Sequence, residues 1–258
     1  MVFVQTKFMS DTPPTSLSLT TGVVIPAFLE ASNIEMLLKE IQKQVPAAKI
    51  VVVDDSPDYD TVNVVKEYGH PNVTIIHRTA KGGRGSAVLE GMKTLLGLDC
   101  DRIIEMDADF SHPPSQICPL LKEASERQLD LLVASRYLPE SEIHKWSLGR
   151  RTFSIASNHL ARFLLRVPIS DYTNGYRVYS RVAAENILKH CGKLGSGFIA
   201  LSEILVNLAY RGFRVGETPT IFTNRVRGES SVSVREIRSA LIGLGRIYLL
   251  KRRLTAPQ

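Results

Sequence analysis

The sequence alternates short apolar runs with helical patterns over its first half, and this alternation constrains the fold more than any other feature. The run from Ile50 to Val53 consists of β-branched residues without polar alternation, which is typical of a strand buried on both faces of a parallel sheet. Between such runs, apolar residues recur at three- and four-residue spacing, as on one face of a helix. The pattern predicts an α/β fold, with a mostly parallel central sheet and helices on both faces.

Individual elements can be assigned along the chain. A first strand, Gly22 to Ile25, precedes a helix that we expect to begin at the capping-box pattern Ser32-x-x-Glu35. That helix presents Ile34, Leu37, Leu38 and Ile41 to the sheet. Later strands are predicted at 50–53, 73–77, 129–134 and from Arg102 towards Asp107, and later helices at 61–68, from Ser86, after Pro114, and at 150–165, 181–190 and 201–211. A strand at 214–222 contains Pro219 and therefore fits a sheet edge.

The composition excludes several classes of protein. With 44% apolar residues among 258, the chain can bury a large core, yet its apolar runs fall far short of the roughly 20 residues that cross a bilayer. Three widely spaced cysteines, Cys100, Cys118 and Cys191, indicate reduced thiols without metal-site spacing. A net charge of +6 without aromatic interleaving or a known motif argues against nucleic acid as a partner.

The two ends of the chain differ from its centre. The first residues carry one lysine, no apolar core and a Ser/Thr/Pro-rich end, so we expect a flexible leader and no signal peptide. The last thirty-odd residues are rich in arginine, and Val234 to Leu250 predicts an amphipathic helix for a membrane surface, a dimer interface or the domain itself. The predicted division is a leader (1–21), one domain (22–231) and a basic C-terminal segment (232–258).

Carboxylates follow two of the predicted strands. Asp54 and Asp55 follow the run at 50–53, and Asp107 and Asp109 follow the strand from Arg102. Ligands of open α/β sheets gather at the carboxyl ends of the strands, and paired carboxylate oxygens suit Mg²⁺ or Mn²⁺ with a phosphate-bearing substrate. An isolated Asp-x-Asp more often forms a turn or caps a helix, so the surrounding sequence has to decide between the two interpretations.

Glycines and arginines supply candidate phosphate contacts. The loop from Lys81 to Gly85 could cradle phosphate through backbone N–H groups, but it lacks the spacing of dinucleotide and P-loop motifs. Arg150 and Ser154 share one helix face and could clamp a phosphate, although a solvent-facing arginine is an equal alternative. Arg136 and Arg225 each follow a predicted strand end, which places both near the carboxylates.

Taken together, these segments resemble the family 2 glycosyltransferases, and within them the dolichol-phosphate and polyprenyl-phosphate mannose synthases. The segments that carry the resemblance are Val24-Ile25-Pro26-Ala27-Phe28-Leu29-Glu30, Val53-Asp54-Asp55-Ser56-Pro57, Gly83-Arg84-Gly85-Ser86-Ala87, Asp107-Ala108-Asp109-Phe110-Ser111-His112-Pro113-Pro114, Ser135-Arg136-Tyr137 and the stretch from Asn224 to Ser231. They occur in the order seen in that family and cover roughly residues 22–231. The resemblance implies a GT-A-type single domain for nucleotide-diphospho-sugar transfer.

The resemblance also implies roles for individual residues. The nucleotide sugar would meet Pro26, Phe28, Glu30, Val53, Asp55, Asp107, Ala108, Asp109, Arg225 and Ser231; the metal would meet Asp107, Asp109 and Ser111; the acceptor phosphate would meet Arg136, Arg150 and Ser154. Asp107, Asp109 and Arg136 are the implied catalytic residues. Phe28 stands where the family usually has Tyr, and Ser231 stands where it usually has Lys, with Arg227 as a possible substitute. Glu203 matches an acidic residue near the sugar.

The implied reaction is an inverting, Mg²⁺- or Mn²⁺-dependent transfer of a hexose to a polyprenyl monophosphate, with mannose from GDP-mannose as the leading donor. Two alternatives stay open at this point: a UDP-sugar donor carrying glucose or an amino sugar, and a catalytically silent subunit that binds and scaffolds. The implied location is peripheral, on the cytoplasmic side of a membrane. Relatives often carry C-terminal transmembrane helices, so a small integral-membrane subunit is a further candidate partner.

Overall fold

The computed structural model of the chain describes residues 19–80, 82–195, 199–224 and 234–255, with the backbone alone described for 234–241. Within these ranges there are nine strands and eight α-helices. The strands are β1 (Thr21–Ala27), β2 (Lys49–Asp54), β3 (Val73–His77), β4 (Arg102–Glu105), β5 (Leu131–Ser135), β6 (Glu142–His144), β7 (Arg177–Ser180), β8 (Val215–Pro219) and β9 (Ile221–Thr223). The helices are α1 (Ala31–Gln44), α2 (Asp60–Tyr68), α3 (Arg84–Gly97), α4 (Ile117–Glu126), α5 (Leu148–Leu165), α6 (Arg181–His190), α7 (Ile199–Tyr210) and α8 (Val234–Thr255).

Seven of the strands form the central sheet, in the order β3-β2-β1-β4-β7-β5-β8. Strands β3, β2, β1 and β4 are parallel to one another, and β5 is parallel to β8. Only β7, among the strands that the structure describes in this sheet, is antiparallel to both neighbours. The predicted mostly parallel sheet is therefore confirmed, and the short strands β6 and β9 pair separately.

Each face of the sheet carries its own hydrophobic cluster. Alternate residues of a strand point to opposite faces, so Val23 and Val24 of β1 belong to different clusters. Helices α1 and α4 pack on one face, and α3, α5, α6 and α7 pack on the other. The four residues expected to face the sheet from α1, namely Ile34, Leu37, Leu38 and Ile41, are all fully buried. Burial of each such side chain stabilises the fold by roughly 1.5–3 kcal/mol.

Helix α1 begins earlier than the sequence predicted, so the capping-box prediction at Ser32 was wrong. The helix begins at Ala31, and the Glu30 carbonyl accepts the N–H of Ile34 at 3.0 Å. The Asn33 side chain donates to the Glu30 carboxylate at 2.7 Å. The Glu30 carbonyl thus accepts the first hydrogen bond of the helix, and Asn33 orients the Glu30 side chain. The Ser32 hydroxyl is not needed as a cap.

Two features of the second half departed from the sequence prediction. Strand β7 was not predicted, because its first residue is an arginine where a buried strand usually has an apolar residue. Arg177 is nevertheless fully buried, and its guanidinium donates to the carbonyls of Asn174, Leu201 and Tyr172. The single strand expected at 214–222 is in fact two, because β8 pairs with β5 in the central sheet whereas β9 pairs with β6. Strand β8 does lie at the sheet edge, as Pro219 predicted.

Within the C-terminal segment the structure describes one long helix, α8, which packs on α7 and α5. Ile247 of α8 is buried, and the Lys251 ammonium donates to the Leu164 carbonyl at 2.9 Å. The inner face of the helix therefore belongs to the domain. None of the helices that the structure describes combines the length and the apolarity needed to cross a membrane.

Candidate active site

The carboxyl ends of β1, β2, β4 and β5 form one edge of the sheet, the site rim. Ala27 at the end of β1 lies in register with Asp54, and the amide of Met106 after β4 donates to Val24 of β1 at 3.2 Å. The loops that leave this rim carry Phe28, Asp55, Arg136 and the residues from Asp107 to His112, which form the Asp107 segment. The fold therefore brings together residues that are about a hundred positions apart in the sequence.

Asp55 holds the glycine loop, Gly82 to Gly85, against β2. Its carboxylate accepts from the Arg78 guanidinium at 2.5 and 2.6 Å and from the Gly83 amide at 2.9 Å. Gly83 has a φ of +83°, a conformation that favours glycine over residues with a Cβ atom. Arg78 also donates to Ser86 at the start of α3. The predicted nucleotide contact Asp55 is thus already engaged in shaping the loop that follows β3.

The neighbouring Asp54 ties the loop after β1 to the same edge. Its buried carboxylate accepts from Ser56 at 2.6 Å and lies 3.1 Å from the His77 ring nitrogen. The Ser56 hydroxyl in turn accepts the Leu29 amide at 2.7 Å. This chain of contacts fixes the turn after Phe28.

Arg84 links the glycine loop to the Asp107 segment, and no role was predicted for it. Its guanidinium donates to Glu105 at 2.5 Å and to Oδ1 of Asp107 at 2.7 and 2.9 Å. The Glu105 carboxylate is fully buried and also accepts the Tyr179 hydroxyl at 2.6 Å. Burial alone would lower the pKa of Arg84, but the charges of Asp107 and Glu105 outweigh it and raise that pKa. Arg84 therefore stays charged between two carboxylates.

The space that Arg84 occupies depends on Gly175. A Cβ atom on Gly175 would lie 1.8 Å from Nη2 of Arg84, far inside contact distance. The one sequence signal for Arg84 was its position between two glycines of this loop.

The Asp107 segment is held from its other side by a buried histidine. The Asp107 amide can only donate, so Nδ1 of His112 accepts it, at 3.1 Å. The ring proton then lies on Nε2, which donates to the Asn174 amide oxygen at 2.9 Å. Burial lowers the pKa of His112, in keeping with a neutral ring. The His112 ring also stacks on Tyr176 with the ring centres 4.9 Å apart.

Asp109 is oriented by Ser111, the third residue predicted for the metal site. Oδ1 of Asp109 accepts the Ser111 amide at 3.0 Å and also accepts the Ser111 hydroxyl. Phe110 between them has a φ of +59°, which closes this short turn. The role of Ser111 as a metal ligand stays a prediction.

The donor atoms at this point suit a hard divalent cation shared with a substrate. Among the residues described, no group of three or more His, Cys, Asp or Glu is arranged to hold a metal by itself. Mg²⁺ and Mn²⁺ commonly take one or two protein carboxylates and complete their shell with phosphate oxygens and water. The carboxylates of Asp107 and Asp109 fit that requirement.

Arg136 lies at the end of β5 in a buried ion pair. Its guanidinium donates to the Asp171 carboxylate at 2.7 and 2.8 Å and to the Thr173 hydroxyl at 2.9 Å. Burial would raise the pKa of Asp171, but the Arg136 charge outweighs it and lowers that pKa. The pair anchors the loop before β7, a role that the sequence did not predict. Direct contact between Arg136 and a phosphate stays a prediction.

Arg150 and Ser154 lie on the inner side of α5. Trp146 lies between Arg150 and Arg136, with the guanidinium carbons 4.6 and 5.2 Å from its ring centre. Arg150 donates to the Asn224 amide oxygen at 3.0 Å, and the Ser154 hydroxyl lies 2.5 Å from the Tyr137 hydroxyl. The two predicted acceptor contacts are therefore adjacent to the loop that carries Arg136.

The remaining predicted residues lie in different surroundings. Pro26 is half-buried in β1, Ala108 and Val53 are buried, and Phe28 is exposed at the rim. Glu30 caps α1 through its backbone and accepts from Asn33.

Glu203 of α7 is buried, and its hydrogen bond is to the loop before α7 and not to the site rim. One carboxylate oxygen accepts the Lys193 amide at 3.4 Å, and the other has no hydrogen-bond partner in the described part of the chain. Burial raises the pKa of this carboxyl group. The predicted phosphate contacts Arg225, Arg227 and Ser231 lie outside the residues that the structure describes.

Comparison with known proteins gives a consistent match. The family model described as glycosyl transferase family 2 matches residues 22–188. A polyprenol monophosphomannose synthase of Mycolicibacterium smegmatis is 36% identical over 86% of this chain and 84% of its own length. An undecaprenyl-phosphate mannosyltransferase of Micrococcus luteus is 33% identical over 89% of this chain and 94% of its own length.

Solved structures resemble the fold at lower identity. Mannosyl-3-phosphoglycerate synthase from Rubrobacter xylanophilus superposes with a TM-score of 0.65, at 17% identity over 94% of this chain and 77% of that one. Glucosyl-3-phosphoglycerate synthase from Mycobacterium tuberculosis, crystallised with Mn²⁺, uridine diphosphate and phosphoglyceric acid, gives 0.63 at 18% identity over 94% and 81% of the two chains. At these identities the likeness is one of fold.

Proposed function

The chain belongs to glycosyl transferase family 2, and on that premise we propose that it transfers mannose from GDP-mannose to a polyprenyl monophosphate, with inversion and with Mg²⁺ or Mn²⁺ as cofactor. The observation that carries the proposal is the position of Asp107 and Asp109 at the site rim, in a chain whose relatives are named as mannosyltransferases acting on polyprenyl phosphates. Arg84 and His112 hold that segment in place.

The donor half of the site would lie over β1, β2 and β4. Phe28 is exposed at the rim and offers a ring for stacking on the base. Oδ1 of Asp55 accepts one hydrogen bond, from Arg78, so it keeps an acceptor position for a ring N–H. Val53 is buried, so its contribution to the pocket is through the backbone. Arg225, with Ser231 or Arg227, is proposed to reach the donor phosphates.

The diphosphate of the donor would lie against Asp107, Ala108 and Asp109. The proposed ligands of the divalent cation are Asp107, Asp109 and Ser111. Bound at these carboxylates, the divalent cation supplies neutralisation of the negative charge that develops on the leaving diphosphate. The chain itself contributes orientation, because Arg84 fixes Oδ1 of Asp107 and Ser111 fixes Oδ1 of Asp109. A relative by fold that is crystallised with Mn²⁺ and uridine diphosphate supports the cofactor.

The acceptor half of the site would lie between β5 and α5. A phosphate monoester is anionic at neutral pH and attacks without a strong general base, so the protein has to position it rather than activate it. Arg150 and Ser154 are the proposed contacts, with Arg136 beside them across Trp146. In-line attack on the anomeric carbon in one displacement inverts its configuration.

The proposed substrates also suggest where the protein acts. The donor is a water-soluble nucleotide sugar and the acceptor is a membrane lipid, so we infer a peripheral protein on the cytoplasmic face of a membrane. The domain at 22–231 would carry the chemistry, and the segments at 1–21 and 232–258 would flank it. A small integral-membrane subunit is a candidate partner.

A panel of radiolabelled donors tests the proposal. The purified chain is incubated with GDP-mannose, UDP-glucose or UDP-N-acetylglucosamine, a short polyprenyl phosphate and Mn²⁺ or Mg²⁺, and label is counted in the organic phase. We expect label from GDP-mannose, none without divalent cation, and none with the dephosphorylated alcohol. Transfer from a UDP-sugar alone would contradict the donor assignment, and transfer from no donor would favour the silent scaffold.

A further inference from the structure

Trp146 is the only tryptophan of the chain, and the proposed function gives it no role of its own. It lies in the loop between β6 and α5, directly before Ser147, the residue that caps α5. Its indole N–H is buried and has no hydrogen-bond partner in the described part of the chain. Hydrogen bonding therefore does not fix the ring, and its contacts with neighbouring side chains have to do so.

Two arginines and a phenylalanine make those contacts. The guanidinium carbon of Arg150 lies 4.6 Å from the centre of the Trp146 ring, and that of Arg136 lies 5.2 Å from it. Phe222 of β9 meets the same ring edge-on, with the ring centres 5.4 Å apart. The face of an aromatic ring attracts a guanidinium group, and indole does so most strongly. Trp146 therefore contacts two of the residues that are proposed to meet the acceptor phosphate.

The small sheet of β6 and β9 brings Trp146 and Arg150 together. The Asn224 amide after β9 donates to the His144 carbonyl at the end of β6, at 3.1 Å. The Asn224 side chain donates to the Lys145 carbonyl at 3.2 Å and accepts from Arg150 at 3.0 Å. Arg150 is thus held both by the indole ring and by Asn224, and each of these follows one of the two strands.

Such contacts prepare an arginine for an anion. The arginine side chain has many rotamers, so fixing it only when a ligand binds costs conformational entropy. A guanidinium that already lies against a ring has lost this freedom beforehand, so it binds a phosphate more tightly than a mobile one does. The positive end of the α5 dipole follows Trp146 directly, and it favours an anion at the same place.

We propose that Trp146 is a positioning residue of the acceptor site. Its ring fixes the guanidinium groups of Arg136 and Arg150 so that both contact one acceptor phosphate. The inference rests on the proposed function, which assigns the phosphate of a polyprenyl monophosphate to these two arginines. It also gives the β6–β9 sheet a purpose, namely to support the acceptor side of the site.

A purely structural role is the alternative, since a tryptophan beside Phe222 also fills space. The two roles differ in what they change. Loss of a packing ring lowers the stability of the protein but leaves the substrate affinities of the folded molecules unaltered. Loss of a positioning ring weakens the binding of the acceptor phosphate and leaves the binding of the donor unaltered.

The fluorescence of Trp146 tests the contact directly, because no other tryptophan contributes to the emission. The full chain is titrated with a short, water-soluble polyprenyl phosphate or with its dephosphorylated alcohol, in the absence of a sugar donor. An anion beside the two guanidinium groups changes the electric field at the indole ring, so we expect a saturable change of emission with the phosphate and none with the alcohol. Transfer is not required for this result.

Two substitutions separate positioning from packing. Trp146→Leu removes the ring, and Trp146→Phe keeps a smaller one. By calorimetry, the dissociation constant of the polyprenyl phosphate should rise about tenfold in Trp146→Leu and about threefold in Trp146→Phe, because the ring contacts of two guanidinium groups are lost or weakened. The KM for this acceptor should rise by the same factors, whereas kcat and the KM for GDP-mannose should stay within about twofold of the parent values.

Tyr248→Leu is the matched control. Tyr248 of α8 also faces a cation, since the Lys251 ammonium lies 5.7 Å from its ring centre. This variant loses a comparable contact far along the chain from the site, and it should bind and transfer like the parent. Urea denaturation verifies that each variant is folded under the conditions of the assay.

Three results would overturn the inference. Trp146→Leu with the acceptor affinity of the parent, or with donor and acceptor affinity reduced equally, would show that the ring packs without positioning the arginines. An unchanged emission while calorimetry detects binding would place the phosphate away from the ring. A parent chain that does not bind the polyprenyl phosphate would overturn both this inference and the proposed function. Binding that depends on Trp146 but leads to no transfer would support the inference and contradict the proposed reaction alone.

Discussion

At the scale of single residues, Arg84 has the most consequential position in the site. It lies between the fully buried carboxylate of Glu105 and the carboxylate of Asp107, and its side chain is only 16% exposed. A buried charge that loses its partner is strongly destabilising, because it keeps its desolvation penalty without compensation. Arg84 thus couples the stability of the rim to the orientation of Asp107.

Replacing Arg84 by methionine separates these two effects. Arg84→Met should lower the free energy of unfolding by about 3 kcal/mol, because Glu105 stays buried without its cation. It should also abolish transfer and raise the divalent cation concentration needed for nucleotide binding, since Asp107 loses its orientation. Urea denaturation and nucleotide binding as a function of Mn²⁺ measure the two effects.

A compensated variant distinguishes positioning from packing. In Arg84→Met/Glu105→Gln the buried charge is removed, so most of the stability should return while transfer stays lost. Arg127→Met, which breaks an exposed pair with Glu123, is the control and should cost less than about 1 kcal/mol. If Arg84→Met is as stable as Arg127→Met and transfers the sugar normally, Arg84 does not position Asp107.

The residues of the site differ in how far the sequence could predict them. Asp107 and Asp109 were predicted because a carboxylate pair after an apolar strand is a local pattern. Arg84 and His112 were not given roles, because their importance comes from partners that are distant in the sequence. The His112 partner Asn174 is 62 positions away, and only the fold brings the two together.

At the scale of elements, α8 is the helix whose packing the sequence left open. Its periodicity was compatible with a membrane surface, a partner or the domain, because apolar spacing does not identify what the apolar face meets. The structure assigns the inner face to α7 and α5 through Gly243 and Ile247.

Two glycines of α8 provide a matched test of this packing. Gly245 has open space around it within the described residues, so Gly245→Ala should raise the free energy of unfolding by roughly 0.5–1 kcal/mol through helix propensity alone. A Cβ atom on Gly243 would lie 2.3 Å from the Ile199 side chain, so Gly243→Ala should lose that gain or destabilise the protein. Urea denaturation compares the two variants, and equal stabilisation by both would contradict the docking of α8 on α7.

Strand β7 illustrates the limit of prediction for whole elements. Apolar periodicity identified the strands at 50–53 and 73–77 because their burial is visible in their composition. Arg177 made β7 resemble a loop, since a sequence does not reveal that three carbonyls accept from its guanidinium. The antiparallel pairing of β7 with β4 and β5 joins residues far apart in the sequence, which apolar periodicity does not reveal.

At the scale of the whole molecule, the sheet divides the chemistry between two halves. Strands β1, β2 and β4 carry the carboxylates of the proposed donor side, and β5 with α5 carries the arginines of the proposed acceptor side. The alternation of strands and helices was enough to predict this architecture, because a parallel sheet collects its loops at one edge. The exposure of Leu148 and Phe163 on α5 could not be predicted, since exposure is known only once the helices are packed.

The most direct measurement is the mass of the lipid product made by the purified chain from GDP-mannose, a polyprenyl phosphate and Mn²⁺, beside the same reaction with Asp107→Asn/Asp109→Asn. The predicted result is a polyprenyl phosphate that gains one hexose with the parent chain, with formation at least about 100-fold slower in the variant, because neutralising the charge of the leaving group contributes strongly to the rate of such a transfer. No hexose-bearing lipid from a folded, nucleotide-binding parent chain, or equal formation by the variant, would contradict a mannosyltransferase that works through this carboxylate pair.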